Sequence, residues 1–320
     1  MICLGLESSA HTFGCGIVSS KKNILSDARD MLKTEKGGII PSEAAEHHRK
    51  IGKKIIEEAI LKAKYPKIDL ISFSRSPGLP PSLHEGRKIA LELGKEMNLP
   101  VLGVNHVISH LSSAHFHTTV KEPIYLFVSG ANTQILVLEN KRFRQVGESL
   151  DLAIGNALDK FAREIGLGFP GGPKIEELAK KGSYIELPYI VKGMDLSFSG
   201  ILTKAIDLFR KGIKKEDLCF SLQETCFSML TEVSERAMAN CGKKELVLIG
   251  GVAANKRLRE MLTIMCNERK AKFYSVPLEY SGDHGAMIAY QGILEFNNSK
   301  IKTEINPYER VEDVEVSWKY

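Results

Sequence analysis

The sequence predicts an α/β fold, because apolar strand-like runs alternate with amphipathic helical patterns along the whole chain. Two pairs of these runs form hairpins of the same plan: 1–6 with 14–18 around the turn 8–12, and 124–128 with 134–138 around the turn 129–133. Both turns are rich in small and hydroxyl residues, the composition that lets backbone amides approach a phosphate. We therefore expect a duplicated domain with the ligand in the cleft between the copies, although any α/β protein can contain such hairpins.

The composition is that of a soluble globular protein, and 320 residues are enough for two domains. The 44 basic and 39 acidic residues give a formal charge of +5, which permits a polyanionic partner without demanding one. The six cysteines show no C-x-x-C spacing, which disfavours a cysteine zinc site and favours a reducing compartment. No apolar stretch reaches bilayer length and Glu7 interrupts the first one, so we expect a cytoplasmic protein without membrane segment or signal peptide.

A histidine pair, His106 and His110, follows the apolar run 99–104. Residues four apart lie on one face of a helix, so both imidazoles can reach a single metal ion. The preceding run predicts a buried strand, which places the pair at a strand's carboxyl end, where open α/β sheets build their sites. On spacing alone, two solvated or core histidines are the more frequent explanation.

A third metal ligand is available at Asp283, in the small-residue turn 281–285, with His284 as its rival. A set of two histidines and a carboxylate leaves coordination positions open for substrate and suits zinc or ferrous iron. The pair lacks the glutamate of H-E-x-x-H, which disfavours a conventional zinc protease.

Two glycine-containing turns follow apolar runs, at 129–131 and 250–251. Such turns can offer backbone amides to a hard anion, although ordinary strand–helix turns have the same composition.

Three polar residues further along the chain are candidates for contacts with a nucleotide. Asp159, on a helix predicted over 151–166, and Glu176, on the helix after the loop 169–173, can accept hydrogen bonds from ribose hydroxyls. Taken singly, each is more simply a surface acid. Asn255 either caps the helix that begins at Lys256 or contacts a ligand.

Several segments in this order resemble the signatures of one family: 5–14, 128–134, 193–200 and 250–255, with the histidine pair and Asp283 ahead of 286–289. It is the universal tRNA N6-adenosine threonylcarbamoyltransferase family, the catalytic KEOPS subunit in archaea and eukaryotes and TsaD in bacteria, formerly labelled an O-sialoglycoprotein endopeptidase. The resemblance covers nearly the whole chain. The segments 151–159 and 314–318 resemble the archaeal branch.

The resemblance implies the actin-like ATPase fold of sugar kinases and heat-shock chaperones, with two duplicated α/β domains and the ligand cleft between them. It implies an N-terminal subdomain over 1–120, completed by the C-terminal segment 298–320. A second subdomain over 121–297 then carries the nucleotide-binding turns and Asp283.

The implied activity is an acyl transfer. A threonylcarbamoyl group moves from threonylcarbamoyl-AMP to N6 of the adenosine adjacent to the anticodon, in tRNAs that read codons beginning with adenine. One Fe²⁺ or Zn²⁺, held by His106, His110 and Asp283, polarises the donor while the amine attacks and AMP leaves. The adenine nucleotide or threonylcarbamoyl-AMP is contacted by Phe127, Val128, Ser129, Gly130, Ala131, Asp159, Gly172, Glu176 and Asn255. No residue is identified as the general base.

The sequence departs from the family pattern at Phe127, where archaeal relatives often carry a tyrosine whose oxygen can join the metal. This departure implies one ligand fewer. Ala131 stands where a second glycine is usual, and Ser281, Gly282 and His284 surround Asp283 in place of the usual Cys, Thr and Asn.

The partners implied by the resemblance are tRNA and the other KEOPS subunits: a small protein kinase/ATPase, a dimerising subunit and a tRNA-binding subunit. In some archaea the kinase is fused to the C-terminus, so the chain is either a stand-alone subunit or an excised domain. Two alternatives share the fold: an ATP-dependent kinase, which needs magnesium and no histidine pair, and an actin-like nucleotide-gated scaffold.

Overall fold

A computed structural model of the chain describes residues 1–33, 39–296 and 301–316. Ser317 and Trp318, in the segment that resembles the archaeal branch, lie outside these residues. The strands are β1 (Ile2–Glu7), β2 (Thr12–Ser19), β3 (Asn23–Met31), β4 (Leu70–Ser76), β5 (Val101–Asn105), β6 (Ile124–Val128), β7 (Thr133–Glu139), β8 (Arg142–Glu148), β9 (Val191–Lys192), β10 (Asp195–Leu196), β11 (Glu245–Ile249) and β12 (Lys272–Ser275). The α-helices are α1 (Pro41–Lys62), α2 (Pro80–Met97), α3 (His106–His117), α4 (Ile154–Glu164), α5 (Gly172–Ala179), α6 (Ser199–Arg210), α7 (Lys215–Asn240), α8 (Lys256–Glu268) and α9 (Gly285–Phe296).

Two five-stranded mixed sheets within the described residues have the same topology. The first has the order β3-β2-β1-β4-β5 and the second β8-β7-β6-β11-β12. In each, an antiparallel hairpin (β1–β2 or β6–β7) continues into two parallel strands. The predicted α/β class and the predicted duplication are both confirmed.

The chain divides into two compact units, each built around one of these sheets. Within the described residues, unit 1 comprises Met1–His117, Asn140–Arg142 and the part of Asp283–Tyr320 that is described; unit 2 comprises Thr118–Glu139 and Phe143–Gly282.

In unit 1, alternate residues of β1 point to opposite faces of the first sheet, as the pleat of a strand requires. Leu4 and Leu6 pack in one cluster with Ile55, Ile56 and Ala59 of α1. Cys3 packs in a second cluster with residues 286–290 of α9. The sheet of unit 1 is therefore buried on both faces.

Helix α9 lies directly against the β1–β2 hairpin because glycines occupy the contact. Gly5 and Gly16 are register partners in the hairpin. A Cβ on Gly16 would lie 2.1 Å from the Ala286 nitrogen, and one on Gly285 would lie 2.1 Å from the Gly16 nitrogen. Since such distances are impossible for real atoms, the three glycines allow a backbone-to-backbone approach.

This contact corrects the predicted domain assignment. The family resemblance implies a second subdomain over 121–297 that includes Asp283, but Asp283 and α9 belong to unit 1. The apolar character of α9 is equally compatible with either core, and the glycines of β1 and β2 decide which sheet it covers.

In unit 2, the core of the second sheet contains buried side chains of β6, β7 and β11 together with those of α4, α6, α7 and α8. The helix predicted over 151–166 begins only at Ile154. The carboxylate of Asp151 accepts hydrogen bonds from Leu152 N, Phe198 N and Ser199 N, which holds 151–153 outside the helix. The amide of Ile154 donates to Thr133 Oγ1 at 2.8 Å.

Two further features of the described residues bear on the sequence expectations. All six cysteines are thiols, five of them buried, and burial raises the pKa of Cys3 to about 12. Across the described ranges, no helix combines the length and apolar character that crossing a bilayer requires.

We predict that Gly16→Ala lowers the free energy of unfolding by roughly 3 kcal/mol, because its Cβ would force α9 away from the sheet. Gly172→Ala is the control, since a Cβ there meets no atom within 4 Å. Chemical denaturation of both variants measures the effect. Equal stability of Gly16→Ala and the parent would contradict the close approach.

Candidate metal and nucleotide sites

His106 and His110 lie side by side because α3 begins immediately after β5. Asn105, the last residue of β5, accepts a hydrogen bond from Ile108 N on its Oδ1 at 3.1 Å, which caps the helix. The two buried imidazole rings have their centroids 4.7 Å apart and cross at 86°. The predicted placement of the pair at a strand's carboxyl end is confirmed.

Asp283 precedes α9, whose first turn is held by two side chains. Asp27 Oδ1 accepts from Ala286 N at 3.1 Å, and His284 Nδ1 accepts from Met287 N at 3.3 Å. His284, the predicted rival ligand, therefore caps α9 instead. The Asp283 carboxylate oxygen lies 3.2 Å from His110 Nε2 and 3.7 Å from His106 Nε2.

Glu7, at the end of β1, orients His106. Its side chain is fully buried, and its Oε2 lies 2.8 Å from His106 Nδ1, while its Oε1 accepts from Ser9 N at 2.6 Å. A carboxylate that takes the Nδ1 hydrogen of a histidine leaves Nε2 to face the metal, which is how outer residues orient metal ligands. Sequence reasoning missed this role, although a charged residue ending an apolar strand is a usable signal.

The carboxylates of Glu7 and Asp283 give this cluster negative charge, which favours the binding of a cation. Burial disfavours a charged imidazole, but the charge and hydrogen bond of Glu7 and the charge of Asp283 outweigh it and raise the pKa of His106 to about 9. Burial lowers the pKa of His110. Burial raises the pKa of Asp283, but the hydrogen bond from His110 and the charges of both histidines outweigh burial and hold this pKa well below its usual range.

One ligand atom from each of His106, His110 and Asp283 lies within 4.8 Å of the others. Two imidazole nitrogens and a carboxylate oxygen suit a divalent cation such as zinc or ferrous iron. The ring of His106 and the carboxylate of Glu7 are both buried, so the ligand geometry is set by packing as well as by hydrogen bonds. These three residues fit a metal site.

In unit 2, the turn after β6 is organised around Ser129. The Ser129 hydroxyl accepts hydrogen bonds from Ala131 N at 3.2 Å and Asn132 N at 3.0 Å. Gly155 N, in the first turn of α4, donates to Ser129 O at 3.2 Å. A Cβ on Gly130 would enter open space, so the backbone of this turn is accessible.

The turn after β11 lies against the turn after β6. Gly250 has φ +98°, and a Cβ there would lie 2.3 Å from Val128 O, so only glycine fits. The two predicted anion-binding turns are thus neighbours in unit 2. Phe127 and Val128 are buried in β6, so their side chains are part of the core.

The three polar residues that are candidates for contacts with a nucleotide make hydrogen bonds within unit 2. Asp159 Oδ1 accepts from Gly171 N at 2.7 Å, which holds the loop before Gly172. Glu176 Oε1 accepts from Lys256 N at 2.9 Å, and Asn255 Oδ1 accepts from Arg257 N at 2.9 Å. Glu176 and Asn255 therefore share the N-terminus of α8, and the capping alternative for Asn255 is confirmed.

The family model described as "TsaD: tRNA N6-adenosine threonylcarbamoyltransferase" matches residues 23–290. A protein of Thermococcus kodakarensis named tRNA N6-adenosine threonylcarbamoyltransferase is 52% identical over 326 residues, which cover 99% of this chain and 100% of that protein. This chain belongs to the tRNA N6-adenosine threonylcarbamoyltransferase family. It is accordingly an acyltransferase.

A second relative and a solved structure extend the comparison. Methanocaldococcus jannaschii has a protein named "Probable bifunctional tRNA threonylcarbamoyladenosine biosynthesis protein" that is 48% identical to this threonylcarbamoyltransferase-family chain. The alignment covers 99% of this chain and 60% of the M. jannaschii protein. The crystal structure of HypF from T. kodakarensis has a TM-score of 0.61 at 16% identity, over 91% of this chain and 47% of that one. This likeness shows the fold alone, and the predicted actin-like ATPase fold is confirmed.

We predict that His110→Ala and Asp283→Asn each lower the affinity for Zn²⁺ by more than about 100-fold, and that Glu7→Gln lowers it by about 10- to 100-fold. His110→Ala removes a ligand and Asp283→Asn removes the negative charge of one, whereas Glu7→Gln only loosens the orientation of His106. Isothermal titration with Zn²⁺ measures each affinity. His84→Ala, at an exposed position of α2, is the matched control. Parent-like binding by His110→Ala would contradict the assignment.

We also predict that acid weakens the fold through His48, which donates to Ala10 O at 3.0 Å and so holds the loop beside Glu7. Burial lowers the pKa of His48 to about 4. Between its unfolded pKa near 6.5 and about 4, the unfolded state binds the proton and the folded state does not. Stability is therefore lost as pH falls through this window, by up to about 3 kcal/mol.

His48→Gln keeps an NH donor at the same place and cannot titrate. Denaturation curves between pH 7 and pH 4 should show a shallower loss of stability for this variant than for the parent. Identical slopes would show that His48 is not buried as a neutral ring.

Proposed function

We propose that this chain transfers the threonylcarbamoyl group of threonylcarbamoyl-AMP to N6 of the adenosine adjacent to the anticodon, in tRNAs that read codons beginning with adenine. Family membership supports the reaction. The observation that carries the site is the convergence of His106, His110 and Asp283, with Glu7 holding His106 Nδ1.

We propose that His106, His110 and Asp283 hold one divalent metal ion, Fe²⁺ or Zn²⁺. Such an ion, when bound, supplies Lewis-acid polarisation of a coordinated oxygen. Glu7 keeps the hydrogen on His106 Nδ1 and thereby presents Nε2, and Asp283 contributes the negative charge that balances the cation. The open coordination positions of a three-residue set leave room for the donor.

The adenylate part of the donor is proposed to bind unit 2. The turn formed by Ser129, Gly130 and Ala131 is proposed to contact the phosphate, and the open space beside Gly130 supports this role. Asp159, Gly172, Glu176 and Asn255 are proposed to contact the nucleoside, and Asn255 would do so in addition to capping α8. Phe127 and Val128 would take part through their backbone, since their side chains are buried.

The chain's own residues would assist transfer by positioning. Binding the adenylate in a turn whose amides are already ordered lowers the entropic cost of bringing the carbamoyl carbon to the attacking amine. AMP would be the leaving group, and the backbone at Gly130 is proposed to lie next to the negative charge that develops on its phosphate.

The tRNA substrate and the protein partners of this chain are also proposals. The names of the relatives point to tRNA as the substrate. We propose that the chain acts in the cytoplasm as the catalytic subunit of KEOPS, with a small kinase/ATPase, a dimerising subunit and a tRNA-binding subunit. The name "bifunctional" of longer relatives supports a link to a second activity in the same modification.

The test is a reconstituted reaction. The chain is incubated with threonylcarbamoyl-AMP, unmodified tRNA and the three partner subunits, and the digested nucleosides are analysed by mass spectrometry. We expect threonylcarbamoyladenosine with the parent chain and at least about 100-fold less with His110→Ala.

The same preparations distinguish a kinase of the same fold. An ATP-dependent kinase would transfer phosphate with magnesium alone and would keep that activity in His110→Ala. A nucleotide-gated scaffold would bind adenine nucleotide and leave the tRNA unmodified. Absence of modified adenosine, under conditions where the T. kodakarensis relative produces it, would refute the proposed function.

A further inference from the structure

The C-terminal segment 301–316 is hydrogen-bonded to β5, the strand from which α3 begins, and to the neighbouring strand β4. Gly103 N of β5 donates to Lys302 O at 2.7 Å, and Asn306 N donates to Arg75 O at 3.0 Å. These backbone bonds fix the path of the segment from the middle of β5 to the end of β4. Glu309, three residues beyond Asn306, is consequently held beside the last residues of both strands.

The Glu309 carboxylate is nine-tenths buried and contacts three polar side chains. Its Oε1 accepts from Arg75 Nη2, and its Oε2 accepts from Ser76 Oγ. Oε2 also accepts from Asn105 Nδ2 at 3.1 Å. The Arg75 side chain is itself only 10% exposed, so the ion pair is largely shielded from water.

Asn105 connects this carboxylate to the metal-site helix. Its side-chain amide donates to Glu309 through Nδ2 and caps α3 through Oδ1, which accepts from Ile108 N. A carboxylate can only accept hydrogen bonds, so Glu309 determines which end of the Asn105 amide faces the helix. If the amide were rotated by half a turn, its NH₂ would face the Ile108 N–H and the cap would be lost.

A second connection runs from the same segment to His106 itself. Gly78 N donates to Pro307 O at 3.2 Å, and the next residue, Leu79, donates through its N to Ser9 O at 2.8 Å. The Ser9 hydroxyl lies 3.3 Å from His106 Nδ1. The C-terminal segment thus supports both the start of α3 and the loop that contacts its first histidine.

We infer that Glu309 is a positioning residue of the metal centre: through Asn105 it fixes the first turn of α3, and with it His106 and His110. This inference rests on the proposed metal ligands. It gives the C-terminal segment a role in metal binding, in addition to its packing in unit 1.

Two variants test the inference through the direction of one hydrogen bond. In Glu309→Gln, Arg75 keeps the amide oxygen, so the new NH₂ faces Asn105 Nδ2 and two donors oppose each other. In the double variant Asn105→Asp with Glu309→Gln, an acceptor at 105 again meets a donor at 309 and still caps Ile108 N. We expect Glu309→Gln to lower the Zn²⁺ affinity by about 10-fold and the double variant to return within about 3-fold of the parent.

The measurements are Zn²⁺ titration calorimetry, the visible spectrum of the Co²⁺ form and the melting temperature, all on the full chain. Asn105→Asp alone sets two acceptors against each other and should reproduce the loss, which provides a second variant if Glu309→Gln does not fold. Glu304→Gln is the matched control, because that carboxylate on the same segment is 83% exposed and pairs with Arg87.

The outcomes separate the two proposals. A parent chain that does not bind Zn²⁺ overturns the metal site and this inference together. If the parent binds Zn²⁺ and Glu309→Gln binds it equally well, only the inference is overturned, even when the variant has a lower melting temperature. A double variant that does not regain the Zn²⁺ affinity of the parent also overturns only the inference.

Discussion

The approach of α9 to the β1–β2 hairpin is the constraint on which the candidate metal centre depends. Gly5, Gly16 and Gly285 carry no Cβ where they meet, so the backbone of the helix contacts the backbone of the sheet there. Asp283, just ahead of α9, is thereby brought to His110, 173 residues away in the chain. A larger side chain at the contact would move the carboxylate by more than a coordination bond tolerates, since ligand distances vary by only about 0.2 Å.

The two units share one topology and differ in the chemistry at equivalent strand ends. Strand β1 ends on a buried carboxylate, Glu7, which orients an imidazole. After β6 stands Ser129, whose hydroxyl organises backbone amides. The same backbone framework thus presents a carboxylate that orients a potential metal ligand in one unit and a turn that can contact an anion in the other. This difference is expected when a fold is duplicated, because the scaffold constrains where a site forms and the side chains decide what it binds.

Much of this arrangement could be predicted from local sequence. The hairpins, the β5–α3 junction and the two glycine turns follow from apolar periodicity and turn chemistry, which depend on neighbouring residues. The assignment of Asp283 to the second subdomain was wrong because that choice depends on glycines more than 260 residues away in sequence. The roles of Glu7 and Glu309 could not be predicted for the same reason: each is defined by a partner distant in the chain, His106 or Asn105.

The hydrogen bonds inside the turn after β6 have a consequence for recognition. The Ser129 hydroxyl already occupies the Ala131 and Asn132 amides, so the loop has its shape without an occupant. The conformational entropy of this loop is therefore lost when the chain folds. The binding of a phosphate does not have to compensate for that loss. Affinity in unit 2 should accordingly depend on the fit of a few accessible groups such as Gly130. A ligand whose length places its phosphate away from these groups gains little binding free energy, because a rigid loop does not adjust its conformation to contact it.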